Sequence, residues 1–294
     1  MYKTETITLS NLLADVDNPS EHLVKILYSS FYFAFTSILL TYLGYLALAL
    51  NAAYLGYEPS LSFDGVEGLT DTRGWSVKRI AFVYLAPPLI GLLASIFGHY
   101  KYSVTDHKKS HWQNFYFWLS VNGFVLFYSY LASGLIAVGN FNSKYFVGFV
   151  SFFSWLKWDN KLITAVLLLL CLAFAFYARR YGWPVTKSFY SRKLLKKRVG
   201  RNIMFVNIVV LPWLIGTLLV SAATFPMDLL FFAIRTCCYV VVFLMILWRI
   251  NNKRKKVGKI IRGGMTYRSP LLWLVLVAFL VVLSRTLLTK GIHF

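Results

Sequence analysis

The sequence is poor in charged residues and poorest in acidic ones. Charged residues make up only 14% of the 294 positions and hydrophobic residues 58%, whereas a water-soluble domain carries charge at roughly a quarter of its positions. This composition excludes an ordinary soluble domain and favours a chain whose surface meets lipid. The 31 Lys and Arg against 11 Asp and Glu give a net charge of +20. In a soluble protein this charge would indicate nucleic-acid binding, but its placement in the chain argues against that.

Motifs that carry catalysis are also missing. The chain has no H-E-x-x-H sequence, in which two histidines hold zinc and the glutamate activates water. It has no serine nucleophile elbow, phosphate-binding glycine loop or paired carboxylates. Its few cysteines lie inside apolar runs, which indicates buried thiols rather than disulfides or metal ligands: Cys171, Cys237 and Cys238. We therefore expect no enzymatic activity and no cofactor.

Long apolar runs predict membrane-spanning helices. About 20 apolar residues cross the hydrocarbon core, where only helices or a closed barrel are stable, and a barrel would require strict alternation. We predict an all-α, polytopic transmembrane bundle that forms a single integral membrane domain over residues 1–294. A shorter apolar stretch at 144–158 ends in tryptophans and is interpreted as an interfacial or re-entrant segment. About seven spans are predicted, at 26–57, 79–100, 114–138, 160–180, 202–224, 227–249 and 270–288.

The N-terminal segment does not look like a cleaved leader. Its first 24 residues are polar and mixed in charge, without a short apolar core and cleavage site. We therefore expect the first apolar run to be retained as a membrane anchor.

Basic residues are concentrated in two predicted loops, 179–201 and 249–269. Together these loops hold seventeen Lys and Arg and no acid. Because cytoplasmic loops are enriched in Lys and Arg, and because the two loops are an even number of spans apart, both are predicted to be cytoplasmic. The loop at 58–78 carries four acids against two bases and suits the outer side. The N-terminus is then cytoplasmic and the C-terminus outside, in what we interpret as a bacterial inner membrane.

The first basic loop also contains apolar residues, in "KSFYSRKLLKKRVGR" at 187–201. Such a segment could lie along the inner leaflet and bind anionic lipid, at roughly 1 kcal/mol per basic residue. Alternatively, the charges only enforce the topology and solvate the loop. No nucleic-acid-binding module is present, so nucleic acid is not an expected partner. The residues predicted to contact lipid are Arg192, Lys193, Lys196, Lys197 and Arg198.

Two charged residues lie in or beside the sixth predicted span. Charge inside a membrane is costly and indicates function by default. Arg235 lies about two turns into this helix, and Asp228 is seven residues earlier on the same face. The two could form a buried ion pair, or each could meet a polar group of another helix, with Asn51, Asn122 and Asn207 as candidates. Alternatively, Arg235 reaches the outer interface and Asp228 caps the helix.

Histidines offer the weakest candidate site. His107 and His111 are four residues apart and His99 is near them in sequence, but a metal requires three or four converging ligands. The adjacent lysines would oppose a bound cation. We interpret these residues as loop histidines and expect no metal.

A small and polar seam runs through the second half of the first predicted span. The stretch "TYLGYLALALNAAYLGYEPSLSF" at 41–63 carries polar and small residues where lipid alone would favour Leu and Val: Thr41, Tyr42, Gly44, Tyr45 and Asn51. Small residues let helices approach closely, so the seam is consistent with helix packing. It is equally consistent with the remains of a site, such as a groove that holds a peptide.

This stretch resembles the site-2 protease family of intramembrane zinc metalloproteases. That family has a helix of the form H-E-x-G-H, then small and apolar residues, L-G-Y and an extended segment. Here T-Y-L-G-Y at 41–45 is followed by L-G-Y and E-P-S-L-S-F, and Gly44 matches the family's glycine. The positions of the two ligand histidines and the glutamate are held by Thr41, Tyr45 and Tyr42 respectively.

A second part of the resemblance lies in "YLAPPLIGLLASIF" at 84–97, which looks like the family's A-G-P-L helix with Pro87 in place of glycine. The likeness covers roughly residues 35–100. The family's third ligand, an Asp in an N-P-x-x-x-D-G segment, is echoed only by F-P-M-D at 225–228, which lacks the Asn and the Gly. The resemblance implies a protease-like scaffold without catalysis, because Tyr or Thr cannot replace imidazole on zinc.

Three functions are compatible with these features. We favour a non-catalytic inner-membrane protein that acts as a subunit or scaffold of a larger membrane complex, with protein transport or secretion as the setting. The alternative is a secondary transporter or channel with a polar pathway near Asp228 and Arg235. A second alternative, a membrane-embedded enzyme, would use the cluster of His99, His107 and His111.

Overall fold

The computed structural model describes residues 19–62, 65–69, 75–105, 110–140, 147–187, 198–224, 229–252, 271–288 and 291–294. These residues are helical apart from turns and one small sheet, which confirms the all-α class. The helices are α1 (Pro19–Tyr54), α2 (Val77–Tyr84), α3 (Ala86–Val104), α4 (Ser110–Ala137), α5 (Phe149–Trp155), α6 (Asn160–Tyr177), α7 (Gly182–Lys187), α8 (Arg198–Phe205), α9 (Leu211–Thr224), α10 (Leu229–Asn252) and α11 (Leu271–Leu288). A 3₁₀ turn at Ala178–Tyr181 follows α6, and a π-helical segment at Val206–Val210 joins α8 to α9.

Five helical stretches among the described residues are long and apolar enough to cross a membrane, or six if the bent pair α2 and α3 forms one span. The seventh predicted span coincides with α11 but is not among these six, so the exact number stays a prediction. The described part of 144–158 contains only the seven-residue helix α5, which is too short to cross. The five stretches are Leu23–Tyr54, Trp112–Ala137, Asn160–Thr186, Arg198–Ala222 and Leu229–Asn252.

The second predicted span is bent by 49° between α2 and α3. Pro87 and Pro88 have no N–H to donate, and each ring clashes with the carbonyl four residues earlier, so the helix cannot run straight through this point. Asn51 of α1 donates from Nδ2 to the Phe82 carbonyl oxygen just before the break, at 2.7 Å. The polar Asn51, out of place for a helix facing lipid, thus joins α1 to the bend.

The ends of the two basic loops lie close together at one end of the bundle. The Arg179 guanidinium lies 5.1 Å from the ring centroid of Trp248, and Arg201 donates from Nε to Asn251 at 3.4 Å. The described parts of 179–201 and 249–269 are therefore neighbours. We call this the basic end.

A three-stranded antiparallel sheet marks the opposite end of the bundle, which we call the sheet end. Strand β1 (Ser60–Leu61) pairs with both β2 (Val66–Glu67) and β3 (Ile292–His293). Phe294 donates its backbone N–H to Pro59 at 3.1 Å. The loop that follows α1 and the C-terminal residues therefore lie together, as the predicted topology requires.

Helix α4 occupies the centre of the bundle. In the most apolar part of α4, 83% of the residues are buried, whereas in the corresponding part of the stretch that contains α6 only 28% are buried. Trp118 and Val125 are fully buried, and Trp118 donates from Nε1 to Ser29 of α1 at 2.7 Å. On α6, Leu168, Leu169 and Leu172 are at least half exposed, as expected for side chains that face lipid. The core is thus built around one aromatic-rich helix with lipid-facing helices around it.

Glycines allow α3 and α4 to approach backbone to backbone. A Cβ atom on Gly123 would lie 2.6 Å from the carbonyl oxygen of Gly91, and one on Gly98 would lie 2.7 Å from the backbone nitrogen of Ser120. No side chain fits at such separations. The close contact between α3 and α4 therefore depends on small residues, the usual means of packing helices in a membrane.

Candidate functional site

Arg235 lies inside the bundle and binds hydroxyl groups of α1. Its side chain is only 9% exposed. Nη1 donates to Oγ1 of Thr41 at 2.9 Å and Nη2 donates to Oγ of Ser37 at 3.0 Å. Nε has no hydrogen-bond partner among the described residues. A cation therefore sits between α1 and α10 and is held by neutral oxygens.

Asn122 joins three helices next to this cation. It is fully buried and donates from Nδ2 to the Phe33 carbonyl oxygen at 2.9 Å and to Oγ1 of Thr36 at 2.7 Å. Its Oδ1 accepts from the Tyr239 hydroxyl of α10 at 2.7 Å. That hydroxyl also faces Arg235 and Ser37. The six side chains form one polar cluster, here called the Arg235 cluster: Thr36, Ser37, Thr41, Asn122, Arg235 and Tyr239.

Helical spacing explains how the Arg235 cluster is assembled. Ser37 and Thr41 are four residues apart on α1, and Arg235 and Tyr239 are four apart on α10, so each pair shares a face. Thr41 and Thr36 donate their own protons to carbonyls four residues earlier, at 2.8 and 2.7 Å. Their oxygen lone pairs then remain available to accept from Arg235 and Asn122. Local helix geometry thus orients the acceptors toward the cation.

The predicted pair of Asp228 and Arg235 is not described by the structure, since Asp228 lies outside the described residues. The guanidinium of Arg235 turns inward to α1. The alternative, in which Arg235 reaches the outer interface, stays a prediction. Asn122 is close by and belongs to the same cluster. Of the other two candidates, Asn51 binds the bend and Asn207 is buried in the π-helical segment.

The polar and small residues of the seam on α1 contact two different helices, α10 and α3. Thr41 joins the Arg235 cluster, whereas Gly44 packs against Pro87, with 3.3 Å between a Cβ built on Gly44 and the Cβ of Pro87. The rings of Tyr42 and Tyr45 meet edge to face with centroids 6.3 Å apart. The Tyr42 hydroxyl is buried and has no hydrogen-bond partner in the described part of the chain. The seam is therefore mainly a helix-packing surface, with one unsatisfied polar atom.

The other predicted sites are only partly described. His99 packs edge to face on Tyr181, with centroids 6.1 Å apart; His107 lies outside the described ranges, as does the side chain of His111. The residues that the structure describes contain no group of three His, Cys, Asp or Glu able to hold a metal. Of the predicted lipid contacts, Arg198 begins α8 and is exposed. The rest, Arg192, Lys193, Lys196 and Lys197, fall outside the described residues.

A second buried polar cluster was not predicted from the sequence. The hydroxyls of Ser95 and Tyr181 are 2.6 Å apart, and Ser120 donates to the Ser95 carbonyl oxygen at 2.7 Å. It links α3, α4 and the 3₁₀ turn near the basic end. Serines in apolar runs have no distinctive spacing, so no sequence signal could have found it. For the Arg235 cluster, the i, i+4 spacing of Ser37 and Thr41 was a usable signal that was missed.

Tyr239 provides a direct test of the three-helix junction. Tyr239→Phe should lower the free energy of unfolding in detergent by about 0.6 to 1.7 kcal/mol, since it removes one hydrogen bond between membrane helices and leaves the Oδ1 of Asn122 without its donor. Reversible unfolding of the purified protein measures this. Tyr100→Phe is the matched control, because Tyr100 is 60% exposed. Equal effects of the two changes would contradict a specific role for the Tyr239 hydroxyl.

The helix lengths, the lipid-facing leucines and the buried polar clusters together define a polytopic helical membrane protein. No protein-family model, curated protein or solved structure matches the chain.

Proposed function

We propose that this protein is a non-catalytic integral membrane protein that works by binding, as a subunit or scaffold of a larger membrane complex. The observation that supports this most is the use of Arg235. An intramembrane cation indicates function by default, yet the Arg235 guanidinium already donates to Ser37 and Thr41. In the same cluster, Tyr239 donates to Asn122. These hydrogen bonds join three helices, α1, α4 and α10, which suits a rigid scaffold.

In this proposal the basic end faces the cytoplasm. The asymmetry of Lys and Arg between the two ends favours it, and the apposition of Arg179, Arg201 and α10 supports a common side for both basic loops. Protein transport or secretion remains the setting that we favour.

We also propose that the scaffold is a non-catalytic relative of the site-2 proteases that it resembles. It is supported by the packing of Gly44 against Pro87, because these residues come from the two stretches that carry the resemblance. Thr41, at a ligand-histidine position, holds a guanidinium instead of a metal. The ancestral site would then have become a structural junction.

Isolation of the tagged full-length chain from its own membranes in mild detergent tests the proposal. We expect at least one membrane protein to co-purify at fixed stoichiometry and to persist through size-exclusion chromatography. An unrelated tagged polytopic protein of similar size, expressed at the same level, is the control for non-specific capture. Recovery of a monomer without any reproducible partner would overturn the proposal.

One observation favours a second candidate, a pathway for small anions. The Arg235 charge is buried, its Nε has no hydrogen-bond partner among the described residues, and its two Nη groups donate to neutral hydroxyls. An anion would supply the missing counter-charge. Uptake of radiolabelled chloride and phosphate into proteoliposomes tests this, with Arg235→Gln as the variant and Lys161→Gln as a charge-matched control at an exposed position. Uptake equal to that of protein-free liposomes would exclude the pathway.

A further inference from the structure

Three arginines from two separate elements line one pocket at the basic end. Arg179 and Arg180 belong to the 3₁₀ turn that follows α6, and Arg249 belongs to the last turns of α10. The pocket has a volume of about 360 Å³, within the roughly 300–1,000 Å³ typical of small-molecule sites. Its other lining residues are Ala173, Phe176 and Tyr177 of α6. Two of the three arginines begin the first basic loop of the sequence, but nothing in the sequence places Arg249 beside them.

The described residues supply no counter-charge to the cationic side of this pocket. No described carboxylate forms an ion pair with Arg179, Arg180 or Arg249. After Asp159 the sequence contains a single acid, Asp228, which precedes α10 and is 21 residues from Arg249 at the other end of that helix. Three guanidinium groups at one pocket repel one another, so an anionic ligand would relieve an unfavourable arrangement.

The arginines are held in place before any ligand binds. The Arg179 guanidinium lies over the rings of Phe176 and Trp248, at 5.2 and 5.1 Å from their centroids, and its Nε donates to the Phe176 carbonyl oxygen at 2.9 Å. Arg180 lies 4.7 Å from the centroid of Tyr177. With Nε of Arg179 already bonded, its Nη groups remain as donors. The planar guanidinium group of arginine can donate two parallel hydrogen bonds to phosphate oxygens, which the ammonium group of a lysine cannot do.

Gly182 positions the third arginine. A Cβ on Gly182 would lie 2.9 Å from Cγ and 3.1 Å from Cβ of Arg249. The stem of Arg249 therefore packs on the bare backbone of α7. Any side chain at residue 182 would displace Arg249 from the pocket.

The remaining wall of the pocket is apolar and belongs to the lipid-facing surface. Phe176 is 50% exposed and Tyr177 42% exposed, and both lie on the membrane-length stretch Asn160–Thr186. A ligand here meets three cations at the membrane boundary and aromatic rings toward the hydrocarbon. A free phosphate would leave the aromatic wall unused, whereas a phospholipid would place its phosphate on the arginines and its glycerol and acyl chains along α6.

From this geometry we propose that the pocket formed by Arg179, Arg180 and Arg249 binds the phosphate of an anionic phospholipid in the leaflet at the basic end. The ligand chemistry is a phosphodiester with a lipid tail. The site differs from the predicted lipid contacts at Arg192–Arg198, because it is a pocket between two helices with fixed side chains rather than a basic segment along the surface. Basic pockets between transmembrane helices are suited to such headgroups.

Lipid binding to the purified full-length protein in detergent tests the proposal. Phosphatidylglycerol should raise the apparent melting temperature in a saturable way, whereas phosphatidylcholine and inorganic phosphate at equal concentration should not. The triple variant Arg179→Gln, Arg180→Gln, Arg249→Gln should bind phosphatidylglycerol on the order of 100-fold more weakly, because each basic residue near lipid contributes about 1 kcal/mol. Native mass spectrometry of the bound lipid gives an independent readout.

Two controls distinguish specific binding in the pocket from non-specific electrostatic attraction to the protein surface. The triple variant Lys78→Gln, Lys157→Gln, Lys161→Gln loses the same charge from exposed positions outside the basic end and should bind as the wild type does. Gly182→Ala keeps every charge but moves Arg249, and should weaken binding roughly fivefold, as expected for one displaced cation. Equal losses in the two triple variants would show charge attraction alone and overturn the site. Phosphate as effective as the lipid would show a soluble ligand and overturn the lipid assignment.

Discussion

Gly123→Ala should strongly destabilise the protein. The new Cβ would lie 2.6 Å from the Gly91 carbonyl oxygen, 2.7 Å from the Ser95 nitrogen and 3.1 Å from the Ala94 Cβ. Two of these atoms belong to backbone and cannot rotate away, so α3 and α4 must separate. Overpacking of a core costs about 1–3 kcal/mol and occasionally more, and we expect this change to lie at the upper end because backbone atoms block the new methyl group. The measurement is the free energy of unfolding in detergent, or the apparent melting temperature where unfolding is irreversible.

The sequence contains a matched control for this change. Gly65 has no heavy atom within 4 Å of a built Cβ and is not in the left-handed region of backbone space. Gly65→Ala should therefore change stability by less than about 0.5 kcal/mol, as surface substitutions usually do. If Gly123→Ala were as mild as Gly65→Ala, the close contact between α3 and α4 would be wrong.

Trp118→Ala should produce the second large loss of stability. Trp118 is fully buried, meets Phe33 and Phe117 edge to face with ring centroids 5.1 and 5.0 Å apart, and donates to Ser29 at 2.7 Å. Its removal leaves a large cavity at the junction of α1 and α4, and buried Trp→Ala changes cost about 3–5 kcal/mol. Unfolding of the variant in the same detergent measures the cost.

A graded series distinguishes packing from the hydrogen bond. Trp118→Phe keeps an aromatic ring but loses the donor to Ser29, so it should fall between the wild type and Trp118→Ala. Trp183→Ala removes the same side chain from a position that is 47% exposed and should cost far less. Similar losses at 118 and 183 would argue against a core centred on α4.

The sequence predicted the architecture better than the chemistry. The helices α1, α4, α6, α9 and α10 could be found because span length and hydropathy are properties of contiguous segments. A break of the helix near Pro87 was predictable from the sequence, because a proline without an N–H disrupts the helix at its own position. The seventh span stays a prediction.

The polar clusters were harder to predict because they depend on which helices are neighbours. Arg235 was identified from its charge, but its partners Ser37 and Thr41 lie nearly 200 residues away in sequence, at separations of 198 and 194. Asn122 was named as a candidate, whereas Tyr239 was not, since one tyrosine among 19 gives no signal. The pocket of Arg179, Arg180 and Arg249 likewise required the packing of two elements that the chain does not place together.

The glycines illustrate the same limit. Gly44 stood out in the first predicted span, and it does pack closely on Pro87. The tighter contact is between Gly91 and Gly123 of α3 and α4, where the helices touch backbone to backbone. Nothing in a single apolar run shows which of its glycines meets another helix, so the contact between Gly91 and Gly123 could not be read from the sequence.

Single-cysteine labelling in sealed membranes most directly tests the central claim that both basic loops share one side, opposite the sheet. Arg198, Asn252, Glu67 and His293 are exposed and would each become the only cysteine in a chain without Cys171, Cys237 and Cys238. Positions 198 and 252 should react with an impermeant maleimide only after the cytoplasmic face is opened, and positions 67 and 293 without that step. Reaction of 198 and 252 from opposite sides, or of 67 from the side of 198, would contradict the account.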